Sequence, residues 1–142
     1  MSPARFLIDT SALTRLLLPD AEKHGWDRAA EAGLIALCPV VELEYFFGAR
    51  SLADRQQVQE IIAGLFGWVS IDDRMFRRAD EVQEAMTRNG THRSAGPIDL
   101  LIAATAELHD LTLLHRDRDF DCVAAVTGQP LAWFGPDRDG QV

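Results

Sequence analysis

Basic charge is what this sequence has least of. Lys and Arg number 14 against 22 Asp and Glu, for a net charge of −8, and Lys23 is the only lysine. A chain of this sign does not hold nucleic acid by a broad electrostatic surface. Contact with a phosphate backbone would have to rest on a few local arginines or on cations that neutralise the acids. A stable protein partner is, by the same logic, expected to be basic. Cysteine is also scarce. Cys38 and Cys122 lie far apart, without C-x-x-C spacing and in apolar surroundings, and read as core thiols rather than a disulfide. No apolar run reaches the length of a membrane span. Asp9 interrupts the run Phe6-Leu7-Ile8, so no signal-peptide core is visible and the cytoplasm is the expected location.

Several catalytic signatures are missing too. The four histidines, His24, His92, His109 and His115, show no HExxH or zinc-type spacing. There is no P-loop and no GxGxxG. Ser11 lacks a GxSxG setting, which argues against nucleophilic serine chemistry. Asp117, Asp119 and Asp121 alternate as in a calcium loop. The sixth and twelfth positions counted from Asp117 are Cys122 and Gly128, however, where that loop needs Gly and Glu.

What is present is ordinary globular composition, 47% apolar and 25% charged, over 142 residues. That suits a single domain, residues 1–142, with a real core. The polar tail from Gly135 to Val142 is expected to fray. Short apolar segments at Arg5–Ile8, Leu34–Cys38, Trp68–Ile71, Leu111–Leu114 and Pro130–Phe134 predict strands. Between them, helices are predicted from the Thr10 or Ser11 cap to Leu17, over Ala21–Ala32, from Pro39 to about Ala49, over Leu52–Leu65, from an Asp72 or Asp73 cap to Arg88, over Ile98–Leu108 behind Pro97, and over Phe120–Val126. Alternation of this kind predicts an α/β fold with a parallel sheet covered on both faces. Sites in such sheets form beyond the carboxyl ends of the strands. Asp9 follows the first strand and Asp117 and Asp119 follow the fourth, so the three acids are expected on one rim.

Four stretches set acids beside strongly apolar sequence: Leu7-Ile8-Asp9-Thr10-Ser11, Val41-Glu42-Leu43-Glu44, Ile98-Asp99-Leu100-Leu101-Ile102 and Asp117-Arg118-Asp119-Phe120. An unpaired buried carboxylate is costly, and basic residues are nearly absent beside these acids. A hard divalent cation is the simplest compensation. Each acid also has a bland reading. Asp9 could be a helix cap, although Thr10 and Ser11 could cap as well. Asp99 could be a first-turn acid on a helix dipole, although its same-face neighbours Ile102, Ala103 and Ala106 are apolar. Periodicity does not choose between Glu42 and Glu44.

Together the four stretches resemble the PIN-domain ribonucleases, most closely the VapC-type toxins of prokaryotic toxin–antitoxin pairs. The similarity runs from Leu7 to Trp133. Ile8-Asp9-Thr10-Ser11-Ala12-Leu13 is similar to the first motif. Glu44 followed four residues later by Gly48 resembles the second and favours Glu44 over Glu42. Asp99-Leu100-Leu101-Ile102-Ala103-Ala104-Thr105-Ala106 resembles the D-x-x-I-A-A-x-A helix, and Asp117-Arg118-Asp119-Phe120 the closing D-x-D-F loop. Two departures stand out. Ile98 occupies the place before the third acid where many relatives have Pro, and His115 a place often held by Thr or a small residue. Neither removes a carboxylate.

The resemblance implies a PIN-like three-layer α/β/α sandwich with a central parallel sheet of four to five strands. It implies a homodimer, a Mg²⁺ or Mn²⁺ cofactor, an RNA substrate, and a cognate VapB-type antitoxin whose C-terminal segment wraps the toxin and blocks the pocket. Asp9, Glu44, Asp99, Asp117 and Asp119 are then the expected catalytic and metal-binding acids. Thr10 and Ser11 are expected to support them, and Arg93 and Arg116 to hold phosphate. The residues leave open whether one ion or two act. Competing readings are a non-catalytic PIN-like binding module, and a phosphoacceptor or phosphatase α/β domain. The phosphoacceptor would need a lysine after a late strand, and the phosphatase a second Asp at position 11.

Overall fold

The computed structural model describes residues 3–136. The part of the predicted tail from 137 to 142 lies outside the described residues. In chain order the elements are β1 (Phe6–Ile8), α1 (Thr10–Leu17), α2 (Trp26–Glu31), β2 (Ile35–Leu37), α3 (Pro39–Phe46), α4 (Leu52–Leu65), β3 (Gly67–Trp68), α5 (Asp73–Arg88), α6 (Pro97–Leu108), β4 (Thr112–His115), α7 (Asp119–Thr127) and β5 (Leu131–Trp133). The strands form one sheet in the order β3-β2-β1-β4-β5, with every pair parallel. Helices cover it in a three-layer α/β/α sandwich.

The central strands show why the sheet is parallel. Leu7, Ile8, Ile35, Ala36, Leu37, Leu113 and Leu114 are all fully buried. Strands packed on both faces need apolar side chains at consecutive positions, which these short runs supply. The edge strands differ: Trp68 on β3 is about half exposed. Helix α6 is the most deeply placed, with Leu100 through Ala106 buried without a break. Its one polar residue there, Thr105, donates its hydroxyl to Leu101 O at 2.7 Å, so burial strands no polar group. Helix α5 packs on α6 and α7. The Arg78 guanidinium of α5 grips Glu107 of α6 with two hydrogen bonds, at 2.6 and 3.0 Å.

The observed elements differ from expectation in a few places. The helix expected over Ala21–Ala32 spans only Trp26–Glu31. Before it the chain reverses, with His24 and Gly25 both at positive φ (53° and 85°). The Lys23 ammonium folds back onto the carbonyls of Arg15 and Leu18, closing the end of α1 instead of entering a helix. The third strand is two residues rather than four, because it is an edge strand with a partner on one side only. Helix α3 stops at Phe46, short of Ala49. Asp9 itself, rather than Thr10 or Ser11, is the N-cap of α1.

The sheet order sets where a site can form. From β1 the chain runs outward to β2 and β3, then returns to β4 on the other side of β1 and continues to β5. The change of direction lies between β1 and β4. A crevice opens beyond the carboxyl ends of strands at such a point.

Candidate active site

Asp9 sits at that crevice. Its N–H donates to Leu114 O at 2.9 Å, extending the β1–β4 ladder by one rung. Its Oδ2 accepts from Ser11 N at 3.0 Å and from the Ser11 hydroxyl at 2.5 Å. Only 3% of the residue is exposed, and Oδ1 is buried with no hydrogen-bond partner. Burial pushes the Asp9 carboxyl above its ordinary range. The Ser11 hydroxyl and the backbone N–H groups of Ser11 and Thr10 hold it down, while the charge of Glu44 adds to the rise. One carboxylate oxygen is thus spent on capping, and the other is held in a dry place without a donor.

Glu44 reaches the same place from α3. Its Oε1 accepts the Thr10 hydroxyl at 2.5 Å, which fixes an otherwise exposed carboxylate against the start of α1. Glu42 belongs to a different contact. Burial raises its carboxyl and the charge of Arg55 on α4 opposes the rise. The structure therefore sets Glu44, not Glu42, beside Asp9.

Asp99 is the third residue of α6, which begins at Pro97, and its Oδ2 accepts weakly from Gly96 N at 3.4 Å. Its carboxyl is pushed up to about 6, first by burial and then by the charge of Asp9, with Asp117 and Glu44 adding and Gly96 opposing. Acids from the end of β1, from α3 and from the loop after β4 thus lie close enough to raise the cost of charging Asp99 on α6.

Asp117 and Asp119 lie at the turn from β4 into α7. The Asp117 N–H donates to His115 Nδ1 at 3.2 Å, and Asp117 Oδ1 accepts from Asp119 N at 2.9 Å. Asp119 is exposed. Its carboxyl is raised a little, first by desolvation and then by the charge of Asp117 and their hydrogen bond. Arg116 does not face outward as a bare phosphate clamp would. Its guanidinium donates to Phe134 O at 3.1 Å and lies over the Trp133 ring at 5.4 Å. A Cβ at Gly135 would stand 2.8 Å from both Arg116 Nη1 and Trp133 Nε1, so that close approach needs glycine. Arg93 is exposed on the loop ahead of α6.

Among the described residues no side chain supplies the pocket acids with a compensating cation by an ion pair. Among the described residues, ion pairs join Arg74 to Asp72, Arg78 to Glu107 and Arg88 to Glu84, and none includes a pocket acid. Nor do any three His, Cys, Asp or Glu side chains among the described residues already stand as a ligand set around one point. Magnesium does not require such a cage. It takes one or two carboxylates and fills its octahedron with water and phosphate oxygens. An all-oxygen donor set with a buried, partnerless Asp9 Oδ1 fits an ion of that kind.

His115, a departure from the resemblance whose role the sequence leaves open, is 1% exposed and meets the site through the Asp117 backbone. The available signal was its spacing, since an acceptor side chain two residues before an Asp can hold that residue's N–H. Beside the acids a groove of about 450 Å³ runs from Thr10, Thr14 and Glu44 along α3 to Arg50, Asp54 and Val58. At its margin Phe47 is 93% exposed. No helix among the described residues is long and apolar enough to cross a membrane.

Known proteins share the sequence and the fold of this chain. The PIN domain family model matches residues 6–126. Over 129 residues the chain is 40% identical to Ribonuclease VapC21 of Mycobacterium tuberculosis, spanning 91% of this chain and 93% of that protein. It is 43% identical over 131 residues to Ribonuclease VapC2 of the same species, spanning 91% and 92%. In fold it is similar to a chain of the DNA-bound VapBC complex from Salmonella typhimurium, at a TM-score of 0.74 and 19% identity, over 93% of this chain and 99% of that one. It is also similar to a chain of VapBC2 from Rickettsia felis bound to a promoter DNA fragment, at a TM-score of 0.76 and 16% identity, over 92% and 98%.

Proposed function

This chain belongs to the PIN-domain family, and from that premise we propose that it is an endoribonuclease, the toxin of a type II toxin–antitoxin pair, dependent on Mg²⁺ or Mn²⁺. The observation that carries the reading is the partnerless Oδ1 of Asp9, buried near Glu44, Asp99 and Asp117, none of which has an ion pair among the described residues. Such a pocket repels a phosphodiester unless a cation is present. Asp9 and Asp99 are the proposed direct ligands, with Glu44, Asp117 and Asp119 around them. A bound divalent ion would supply Lewis-acid polarisation of the phosphate, a more acidic water and neutralisation of developing charge.

The chain's own part is to present these acids in fixed directions. The Ser11 hydroxyl and N–H hold Asp9 Oδ2 and leave Oδ1 buried without a hydrogen-bond partner. Thr10 holds Glu44. The Asp99 carboxyl, pushed up to about 6 by burial and by its acidic neighbours, would be held ionised by a bound cation. The names of the VapC relatives support an RNA substrate, and the VapBC complexes of similar fold support a VapB-type antitoxin. We place that antitoxin segment along the α3–α4 groove, which Glu44 and the exposed Phe47 both line. A homodimer acting on RNA in the cytoplasm completes the proposal.

The test is direct. Purified chain should cleave structured RNA in Mg²⁺ or Mn²⁺ and stop in EDTA. Expression without the antitoxin should arrest growth, and Asp99→Asn should relieve the arrest. If no RNA is cleaved in either metal and the arrest survives Asp99→Asn, a non-catalytic binding module replaces this reading.

A further inference from the structure

The turn between β4 and α7 carries two of the acids, and its backbone donors are used in an ordered way. Arg116 N–H donates to Ser11 Oγ at 2.9 Å, and the same hydroxyl donates to Asp9 Oδ2. Asp117 N–H turns inward to His115 Nδ1, Asp119 N–H to Asp117 Oδ1, and Phe120 N–H to Asp117 O at 3.2 Å. The orientation of Asp117 therefore depends on an acceptor at His115. A backbone N–H can only donate, so Nδ1 must be the unprotonated nitrogen and the ring proton lies on Nε2.

The imidazole cannot swing away from this role. Its ring meets Phe120 edge-on at 5.3 Å and Trp133 at 5.6 Å, on two different elements. Its own carbonyl accepts Phe134 N–H at 2.7 Å, which ties the residue into the sheet. A fully buried ring locked between α7 and β5 thus offers one nitrogen to the loop that presents Asp117. With no acceptor there, the Asp117 N–H would be left to bond a nearby carboxylate, and the loop would turn its acids elsewhere. Hydroxyl and amide side chains make the same contact to the N–H two residues ahead in Asx and ST turns. Imidazole does so here with greater reach and an apolar body.

We propose that His115 is a positioning residue, which aims Asp117 at the metal pocket by accepting the Asp117 N–H at Nδ1. This rests on the ribonuclease reading, in which Asp117 is one of the pocket acids. It assigns no proton transfer and no metal contact to His115.

The experiment compares His115→Leu, His115→Gln and His115→Asn with wild type. Leu keeps apolar volume without an acceptor. Gln carries its acceptor near the Nε2 position, and Asn near the Nδ1 position. Mn²⁺ affinity is read by titration calorimetry, and kcat and KM on an RNA oligonucleotide separately. Losing a group that orients a metal ligand costs about 10–100-fold in metal affinity or activity. His115→Leu and His115→Gln should show that loss in Mn²⁺ affinity and kcat, with KM for RNA little changed. His115→Asn should recover most of both. Wild-type Mn²⁺ affinity in His115→Gln, or equal damage in Asn and Gln, overturns the proposal even if Leu fails to fold. The imidazole ¹⁵N shifts of wild type supply a readout independent of activity, with Nδ1 expected unprotonated and Nε2 protonated. A protonated Nδ1 overturns the proposal while leaving the ribonuclease reading intact. Wild type that binds no Mn²⁺ and cleaves no RNA overturns both.

Discussion

Asp99→Asn should destroy activity and stabilise the metal-free protein, and the pH at which the stability gain appears follows from the pocket. The Asp99 carboxyl moves from an ordinary value of 3.8 to about 6 on folding. Below 3.8 both folded and unfolded chains are protonated there, and the charge has no effect. Between 3.8 and 6 the folded state holds the proton and the unfolded state has released it. The folded state then binds more protons, so stability falls as pH rises through that window. Above 6 the full penalty is present and stays level. Full burial would make it about 3 kcal/mol at 1.36 kcal/mol per pH unit. Asp99 keeps partial contact with solvent, which reduces the figure to roughly 1–2 kcal/mol. For a chain of 142 residues that is a rise of about 3–7 °C in Tm. Thermal melts in EDTA at pH 3.5, 5 and 7.5 are the assay. Wild type and Asp99→Asn should melt together at pH 3.5, and the mutant should melt higher at 7.5. A mutant less stable at pH 7.5, or a difference that ignores pH, would refute the electrostatic account of the pocket.

Other consequences can be checked in the same preparation. Glu44→Gln should abolish RNA cleavage while Glu42→Gln leaves most of it, since only Glu44 meets the Thr10 hydroxyl beside Asp9; the reverse pattern in a cleavage assay overturns that assignment. Mn²⁺ at about 100 times its dissociation constant should add roughly 2.7 kcal/mol of stability. Asp9→Asn should blunt that rise in Tm, and an equal rise in wild type and mutant would place the ion elsewhere.

Much of the fold was legible in the sequence because the central strands are buried on both faces. A run such as Leu7-Ile8 or Leu113-Leu114 has few other uses in a chain this polar, and Pro39 and Pro97 mark helix starts outright. What the sequence could not show was set by tertiary contacts. Ala21–Ala32 reads as one helix until Lys23 is seen folding back onto α1, a contact no local propensity encodes. The α1 cap illustrates the same limit. Asp9, Thr10 and Ser11 are all competent caps, and the choice depends on which side chain the sheet holds in place. Glu42 and Glu44 were inseparable by period because both lie on partly apolar faces. The Gly48 spacing favours Glu44 by resemblance, and in the fold the positions of α1 and α4 give the two acids different partners. His115 carries no metal-ligand spacing in the sequence, and its hydrogen bond to the site is to the Asp117 backbone.

Asp9 shows why the pocket is best understood as a site rather than a flaw in packing. As a helix cap alone it would need one oxygen, and Ser or Asn would cap as well without bringing a full charge into the interior. The second oxygen stands buried and without a donor, inside a set of acids whose charges make Asp9 and Asp99 harder to ionise. Nothing in the packing of α1, α3 or α6 requires those charges: the apolar residues around Asp99 would bury an asparagine equally well. Local rules are broken together at one point, on the rim where the sheet changes direction, and are obeyed nearly everywhere else. That concentration is the pattern of a functional site whose cost is recovered only when something positive enters it. The candidates for entry compete for the same oxygens. On the proposed function, a divalent ion carrying RNA phosphate would complete the site, and an antitoxin arginine entering along the α3–α4 groove would close it.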